Sequence, residues 1–573
     1  MEYRWVHNLL RLIFAVMAVT VPGVAQQSAR IAPADILIVH AKVYTLNAQT
    51  QWAQAVAIRH GKIVSVGSDE VVGKMRGIGT KVIDAGGKLV LPGFTDCQVH
   101  FLEGSVALGR VDLAGLTTVT EIQNRLRDYA ARHPGDSWIL GRGWNYAVFG
   151  EAALPDKKYL DELFPNRPVF LEGFDGHSYW VNSKALSLAG VTKDTKDPVN
   201  GFIVHDLQTG EPTGALKEDA DALITKVIPK LEEVDKLKAL RAGMKWANQN
   251  GITRVHSAGG DFEALPLLEQ LRQDKQLSVR FYVSYRLDAY ELRKEDLDAI
   301  ESARKKYHDD WIDANAVKMM LDGVVETHTA ALLAPYADQP ATKGALFWEL
   351  PKYQNAVIEL DKQGMQLFTH AIGDYAVRTA LDTYELAEKK NHDKGRRPRI
   401  EHVETIDVSD IPRFGKLGVI ASMQPLHSYP DADTLDVWAR NLGPERASRA
   451  WVWKSIADDG GHYAFGSDWP IVTLNPWEGV QTAVTRQTAD GKPAGGFVPS
   501  QRLTVAQAVE GYTIDAAYAG RREKTEGSIE TGKVGDIIIV DRNIFEIEPH
   551  NIGETKVVIT IVGGKIVYEA ESK

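Results

Sequence analysis

From Asp35 to Pro92 the apolar residues come in short runs broken by turn formers: Ile36-Leu37-Ile38-Val39, Val43-Tyr44-Thr45, Ala55-Val56-Ala57-Ile58 and Lys62-Ile63-Val64-Ser65-Val66, the last bracketed by Gly61 and Gly67. Runs of this length punctuated by glycine predict β-strands and a hairpin. The same grammar returns in Ile537-Ile538-Ile539-Val540 and from Val557 to Tyr568, where Gly564-Lys565-Ile566-Val567 echoes Gly61-Lys62-Ile63-Val64. Neither end has enough strands to cover two faces. The two ends are therefore expected to meet in one β-sandwich, with the rest of the chain inserted between them.

In that inserted middle the period changes. Val234, Leu237, Leu240, Met244 and Ala247 fall on one helical stripe that ends at Asn250-Gly251 and leads into Ile252-Thr253-Arg254-Val255. Val377, Leu381 and Tyr384 align behind Asp374, a residue suited to an N-cap. Strand and helix alternate for several hundred residues with no glycine-rich dinucleotide fingerprint after the first strand. That favours a parallel barrel over a doubly wound sheet. Ten strands are candidates, beginning at Phe94, Trp138, Val169, Ile252, Val279, Val317, Leu367, Ile400, Val419 and Tyr463. A barrel takes about eight. The strands at Trp138 and Val169, with the hairpin-like 201–204 and 214–216, are assigned to an insertion after the first barrel strand, where lids are often built. The predicted architecture is α/β: a distorted (β/α)8 TIM-type barrel over residues 93–500 with a lid-like inserted segment at about 103–225, and a composite β-sandwich domain built from both chain ends, 26–92 and 501–573, the latter opening with a helix.

Composition adds limits. The chain has 573 residues, 44% hydrophobic and 25% charged, which is globular and too long for one small core. A net charge of -10 and the absence of a long Lys/Arg run exclude a nucleic-acid partner. Arg4 and Arg11, the run from Leu12 to Val19, and Pro22-Gly23-Val24-Ala25 predict a secretory signal peptide over residues 1–25, cut after Ala25. The protein is accordingly expected to be exported, to a periplasm or the extracellular space. An uncleaved anchor is disfavoured by the short run and the Pro22-Gly23 break. No later stretch is apolar for long enough to cross a bilayer, so no membrane partner is expected after cleavage. Cys97 is the only cysteine, which rules out an intrachain disulfide. The oligomeric state is not fixed by the sequence, and a homodimer is compatible with it.

The candidate chemistry begins at Leu91-Pro-Gly-Phe-Thr-Asp-Cys-Gln-Val-His-Phe101, where a strand puts Asp96, Gln98 and His100 on one face. Barrel enzymes work at the C-terminal ends of their strands. There this chain places Gln98 and His100 on the first strand, Lys318 on the fourth, His370 on the fifth, His402 on the sixth and Asp468 on the eighth. Each has a plain alternative: a core histidine, a salt bridge from Lys318 to Asp322 or Asp468, a turn-forming Asp468. Gathered at one mouth, imidazoles and a carboxylate suit a divalent metal, zinc or a similar ion, that activates a water.

Several motifs in order carry a resemblance: Pro92-Gly93-Phe94, Asp175-Gly176-His177-Ser178, Val181-Asn182-Ser183-Lys184-Ala185-Leu186, Leu321-Asp322-Gly323 with Thr329-Ala330, His370-Ala371-Ile372-Gly373-Asp374, Ile400-Glu401-His402, Ala421-Ser422-Met423-Gln424-Pro425 and Gly466-Ser467-Asp468. With these the chain resembles the amidohydrolase superfamily, and within it the amidohydrolase family 3 branch, which includes N-substituted formamide deformylase-like enzymes. The resemblance implies one or two divalent metals, His370 and His402 as ligands, a carbamylated Lys318 bridging them, and Asp468 as the proton-shuttling acid. It departs at Gln98, where the family usually has histidine. Glutamine offers a weaker, neutral oxygen. One tightly held metal and a second, labile one are expected.

The function so implied is hydrolysis of a non-peptide carbon–nitrogen bond in a small-molecule amide, cyclic amide or formamide. The competing readings are a ligand-binding homologue impaired by Gln98, and a deaminase of the same superfamily. Trp144, His177, Trp180, His256, Gln424, His427 and Trp469 are candidates to position substrate, His177 foremost as a catalytic residue. Arg486 is a candidate to hold a carboxylate or to pair with a helix acid.

Overall fold

Eight parallel strands pair in sequence order to make the central sheet: β1 (Phe94–Val99), β2 (Ile252–Ser257), β3 (Arg280–Arg286), β4 (Ile312–Met320), β5 (Gln366–Ala371), β6 (Arg399–His402), β7 (Ile420–Met423) and β8 (His462–Phe465). The computed structural model describes residues 32–152, 154–392 and 395–571; the leader predicted at residues 1–25 lies outside them. Every residue of β1, β2, β5, β6 and β7 is buried, the state expected of parallel strands covered on both faces. The burial extends to their polar side chains: Asp96, Arg254, Arg399 and Glu401 are as inaccessible as the apolar residues beside them. β4 begins at Ile312, five residues before the expected Val317, because its first half alternates buried and half-buried positions.

The barrel closes between its first and last strands through the segment just past β8. Asp468 N donates to Gln98 O at 2.7 Å and His100 N to Trp469 O at 2.7 Å. The two backbones meet so closely at Gly466 that a Cβ there would lie 2.5 Å from Gln98 N. The seam and the candidate site are thus the same few residues.

The insertion is a separate six-stranded sheet in the order 201–205, 212–218, 178–181, 169–173, 139–144, 111–112. It contains both strands removed from the barrel count. Trp144 and Trp180 are in its own core, with Val111, Leu126 and Leu171, and their indole N–H groups donate to Leu171 O and Asp156 O.

The sandwich is composite in one of its two sheets. The first, in the order 62–67, 55–59, 36–39, 81–84, is N-terminal throughout. The second runs 565–569, 557–562, 537–540, 89–92, 42–44, 52–53, with Leu89–Pro92 antiparallel to Ile537–Val540. Ile36, Ile38, Val56 and Ile58 meet Ile537, Ile539, Ile559 and Ile561 in the core between them.

Two local expectations are corrected. Leu237, Leu240, Met244 and Ala247 face the core from helix Glu233–Gln249, but Val234 is 69% exposed in its first turn. The N-cap of helix Asp374–Asn391 is Gly373, because Asp374 accepts instead from Leu333 N at 2.8 Å, tying the helix to the loop after β4. No helix among the described residues is long and apolar enough to cross a membrane.

The sandwich is fastened to the barrel floor by buried charge. Arg280 of β3 donates to both oxygens of Asp536, at 2.7 and 3.1 Å, and Arg254 of β2 to Glu526 at 2.8 Å. Asp536→Ala leaves the Arg280 guanidinium buried without a counter-charge, so it is expected to destabilise the fold by about 3–5 kcal/mol. Denaturant unfolding measures this; the bidentate partner Asp536→Asn should lose less.

Candidate active site

The barrel mouth opens into a cavity of about 700 Å³ lined by His100, Lys318, His370, His402 and Asp468 from the barrel and by His177 from the insertion. Of the residues singled out from the sequence, these six face one space, and Gln98 is fully buried directly beneath it. Backbone geometry aims two of them: His402 at φ 79° and Asp468 at φ 61° adopt the left-handed region. Side chains rarely accept that conformation, at a cost of about 1–3 kcal/mol each.

Asp468 is the electrostatic centre. Its Oδ1 accepts from Gln98 Nε2 at 2.8 Å and lies 3.2 Å from His100 Nε2. Burial pushes its carboxyl up, but the hydrogen bond and charge of His100, then the charges of His402 and His427, outweigh this and hold it well below the usual range. Burial likewise lowers His100, yet Asp468 and Glu103, on either side of its ring, raise it to about 9. Gln98 also contacts His402 Nε2 at 3.1 Å through the same amide nitrogen, and its carbonyl oxygen faces Gln424 Nε2 at 3.5 Å. Gln98 therefore braces Asp468 and His402 as a donor.

Lys318 is 1% exposed and lines the cavity with no ion pair among the described residues. Asp322 is occupied otherwise, accepting from Ala331 N, Ile372 N and Gly373 N and so fixing the loop that follows His370. Burial brings the Lys318 amine down to about 8 against the opposing charges of Glu401 and Asp468. His370 is pushed well below 6.5 by burial, with its Nε2 3.3 Å from Gly323 O. Its ring stands 4.5 Å from that of His402 and 5.7 Å from that of His177.

His402, His427 and Asp468 each offer a ligand atom, and these atoms lie within 4.8 Å of one another. The donor set fits a divalent ion. His427 Nδ1 is 3.4 Å from Glu404 Oε1, and a carboxylate can only accept there, so the proton sits on Nδ1 and Nε2 keeps its lone pair. That Nε2 is buried without a hydrogen-bond partner, 3.9 Å from Asp468 Oδ2. Orphaned buried nitrogens are costly unless something else occupies them.

Sequence reasoning placed His427 in the substrate shell rather than beside Asp468, and gave no role to Glu404, Glu103 or Glu218. Their only sequence signal is their type, shared with every other acid in the chain. Other shell candidates lie elsewhere: Trp144 and Trp180 in the insertion's core, His256 under the site against Arg399, and Trp469 packed on Phe101. Arg486 is fully buried, donating to Phe497 O and Ala450 O and stacked on Trp453, with no ion-pair partner among the described residues.

The geometry has counterparts. Residues 81–568 match the amidohydrolase family. The chain is similar to Protein LONG AFTER FAR-RED 3 of Arabidopsis thaliana, with 32% identity over 93% of this chain and 92% of that one. It is also similar to N-substituted formamide deformylase of Arthrobacter pascens, with 27% identity over 93% and 98%. The crystal structure of an uncharacterized metal-dependent hydrolase from Pyrococcus horikoshii OT3 superposes with a TM-score of 0.71 at 25% identity, covering 90% of this chain and all but 1% of the other.

Two outcomes are expected. Glu404→Gln, which weakens the carboxylate behind His427, should loosen a divalent ion by about 10–100-fold, measured by competition with a chromophoric chelator. In chelator-stripped protein, His177 and His100 at about 9 lie above their ordinary 6.5, so their stabilisation is complete below pH 6.5 and lost as pH rises through 9. The thermal midpoint should fall between pH 7 and 10, and His177→Gln should flatten that fall.

Proposed function

Because the chain belongs to the amidohydrolase family, we propose that it is an exported, metal-dependent hydrolase of a non-peptide carbon–nitrogen bond in a small amide, cyclic amide or formamide. The observation that carries this reading is the convergence of His402, His427 and Asp468, with the buried lone pair of His427 Nε2 left unpartnered, at the mouth of a parallel barrel. Zinc is the ion these nitrogen and oxygen donors suit best. The relative named for formamide deformylation supports the choice of substrate class.

A divalent ion supplies Lewis acidity here, bringing the pKa of a water down toward about 7. The chain's own groups account for the proton. Asp468 Oδ1 is committed to Gln98 and His100, which leaves Oδ2 as the basic oxygen. Ionised and buried, Oδ2 takes a proton from the attacking water as oxygen bonds to the carbonyl carbon. It returns that proton to the nitrogen as the carbon–nitrogen bond breaks, leaving an acid and an amine. His100, charged on both sides of its ring, holds Asp468 in place throughout. Lys318, an unpaired buried amine whose neutral form is accessible near pH 8, is suited to react with carbon dioxide and become a carbamate ligand for a second ion. With a glutamine at position 98, the ion held on the side of the first strand is the weaker one.

One observation favours the impaired reading: the Gln98 amide N–H groups sit on Asp468 and His402, where an imidazole of the family pattern would offer a lone pair. A screen of N-formyl amines, N-acyl amino acids and hydantoins with zinc, cobalt or manganese separates the two. Turnover is expected, falling on the order of 1,000-fold in Asp468→Asn assayed with the ion supplied in excess. Turnover that appears only after Gln98→His would assign the natural protein to ligand binding.

A further inference from the structure

The insertion brings to the cavity a pair that the mechanism above does not use. His177 Nδ1 lies 2.6 Å from Glu218 Oε2, and both side chains are nearly inaccessible, at 15% and 4%. A carboxylate accepts only, so the proton between them belongs to Nδ1. The ring is thereby fixed by one edge, and its other edge, Nε2, is free on the side of the cavity, next to His370.

Glu218 is itself held from behind. Its second oxygen, Oε1, accepts from Thr329 Oγ1 at 2.6 Å and lies 3.3 Å from Thr327 Oγ1; the two hydroxyls are 2.8 Å apart. Thr329 Oγ1 in turn accepts from Val324 N at 2.9 Å. These threonines belong to the loop after β4, so one carboxylate joins the inserted sheet to the barrel. The contact requires a glycine, since a Cβ on Gly323 would lie 2.2 Å from Thr329 Oγ1 and 2.8 Å from Glu218 Oε1. The motif Leu321-Asp322-Gly323 with Thr329-Ala330, conspicuous in the sequence, acquires here a physical purpose.

Glu218 also carries backbone strain, at φ 49° and ψ -138°, which few residues with a side chain adopt. Strain, a buried carboxylate and an obligatory glycine converge on one position in the cavity wall. A merely structural ion pair gains little from such an arrangement, because desolvation cancels most of its attraction. Preorganisation of a hydrogen-bond donor is what these costs accomplish.

We propose that Glu218 is the positioning residue for His177, holding its ring so that Nε2 donates to the substrate's carbonyl oxygen as that oxygen gains charge, and that Thr327 and Thr329 hold Glu218. The inserted sheet then takes part in the chemistry only while this carboxylate fastens it to the loop after β4. The role in turnover rests on the hydrolase reading above; the hydrogen-bonded arrangement does not. The buried Glu218 carboxylate is otherwise held only by neutral threonine hydroxyls, so His177 is the group placed to balance its charge, and the ring protonated on both nitrogens presents Nε2–H as the donor.

The test has two arms. In the metal-loaded full chain acting on the best substrate of the screen, Glu218→Gln is expected to lower kcat on the order of 100-fold with KM within about threefold, at unchanged metal content and with the fold retained by circular dichroism at the assay temperature. Thr329→Val should lower kcat about tenfold in the same way, and serves if Glu218→Gln does not fold. Folded variants with wild-type kcat overturn the proposal. The second arm needs no substrate: in protein labelled with 15N-histidine, the resonance lost in His177→Gln should report a proton on Nδ1 in a strong hydrogen bond, shifted far downfield, and that shift should collapse in Glu218→Gln. An Nδ1 without its proton, or a shift unmoved by Glu218→Gln, overturns the proposal even if no substrate is found. Absence of turnover in the natural protein, with the Nδ1 signal present, counts against the hydrolase reading alone.

Discussion

A guanidinium sealed inside the barrel supports everything at its mouth. Arg399 of β6 is fully buried and permanently charged, so its surroundings must supply both a counter-charge and acceptors for its N–H groups. Glu401, two residues on and equally buried, takes Nε at 2.9 Å and Nη2 at 3.0 Å. Nη2 also faces Cys97 O on β1 and Ser422 Oγ on β7, Nη1 donates to His256 Nδ1 on β2, and the plane stacks on Phe368 of β5. One side chain thus gathers five strands. His256 is kept neutral because burial and the nearby positive charges push its pKa well below 6.5. The pair also sets the potential above it: Glu401 immediately precedes His402 and is the strongest charge favouring the ammonium form of Lys318. A hydrophobic floor of equal volume would pack as well but would leave those groups without a reference charge.

Above that floor the site is assembled at the barrel's seam. Because β1 and β8 are joined through residues 98–100 and 468–469, closing the cylinder and bringing Asp468 to Gln98 and His100 are a single structural event. The second wall comes from the insertion, whose sheet keeps its tryptophans for its own core and gives the cavity His177 and Glu218. The active centre is therefore held by two kinds of join, backbone hydrogen bonds at the seam and a carboxylate between threonine hydroxyls at the lid.

The barrel strands were legible because short runs rich in apolar and β-branched residues alternate with helical stretches, and the rule that polar side chains sit at their C-terminal ends found His100, Lys318, His370, His402 and Asp468 in the same cavity. The partners of those residues were not legible. Glu404, Glu103 and Glu218 look like any surface acid, since only the fold determines which of them is dry. Aromatic residues were ambiguous for a related reason: Trp144 and Trp180 have the same sequence appearance whether they line a pocket or fill a core. Asp374 misled as an N-cap because its carboxylate was needed by Leu333 N in a distant loop.

The composite sheet constrains how such a chain is made. Leu89–Pro92 has Lys42–Tyr44 along one edge from early in synthesis, but its other edge stays open until Ile537–Val540 emerges near the end. An unpaired strand edge invites wrong partners, and a pairing this distant in sequence is slow to form. That edge therefore stays unprotected until the last part of the chain is made, and a late truncation would disable an early strand as surely as deleting it.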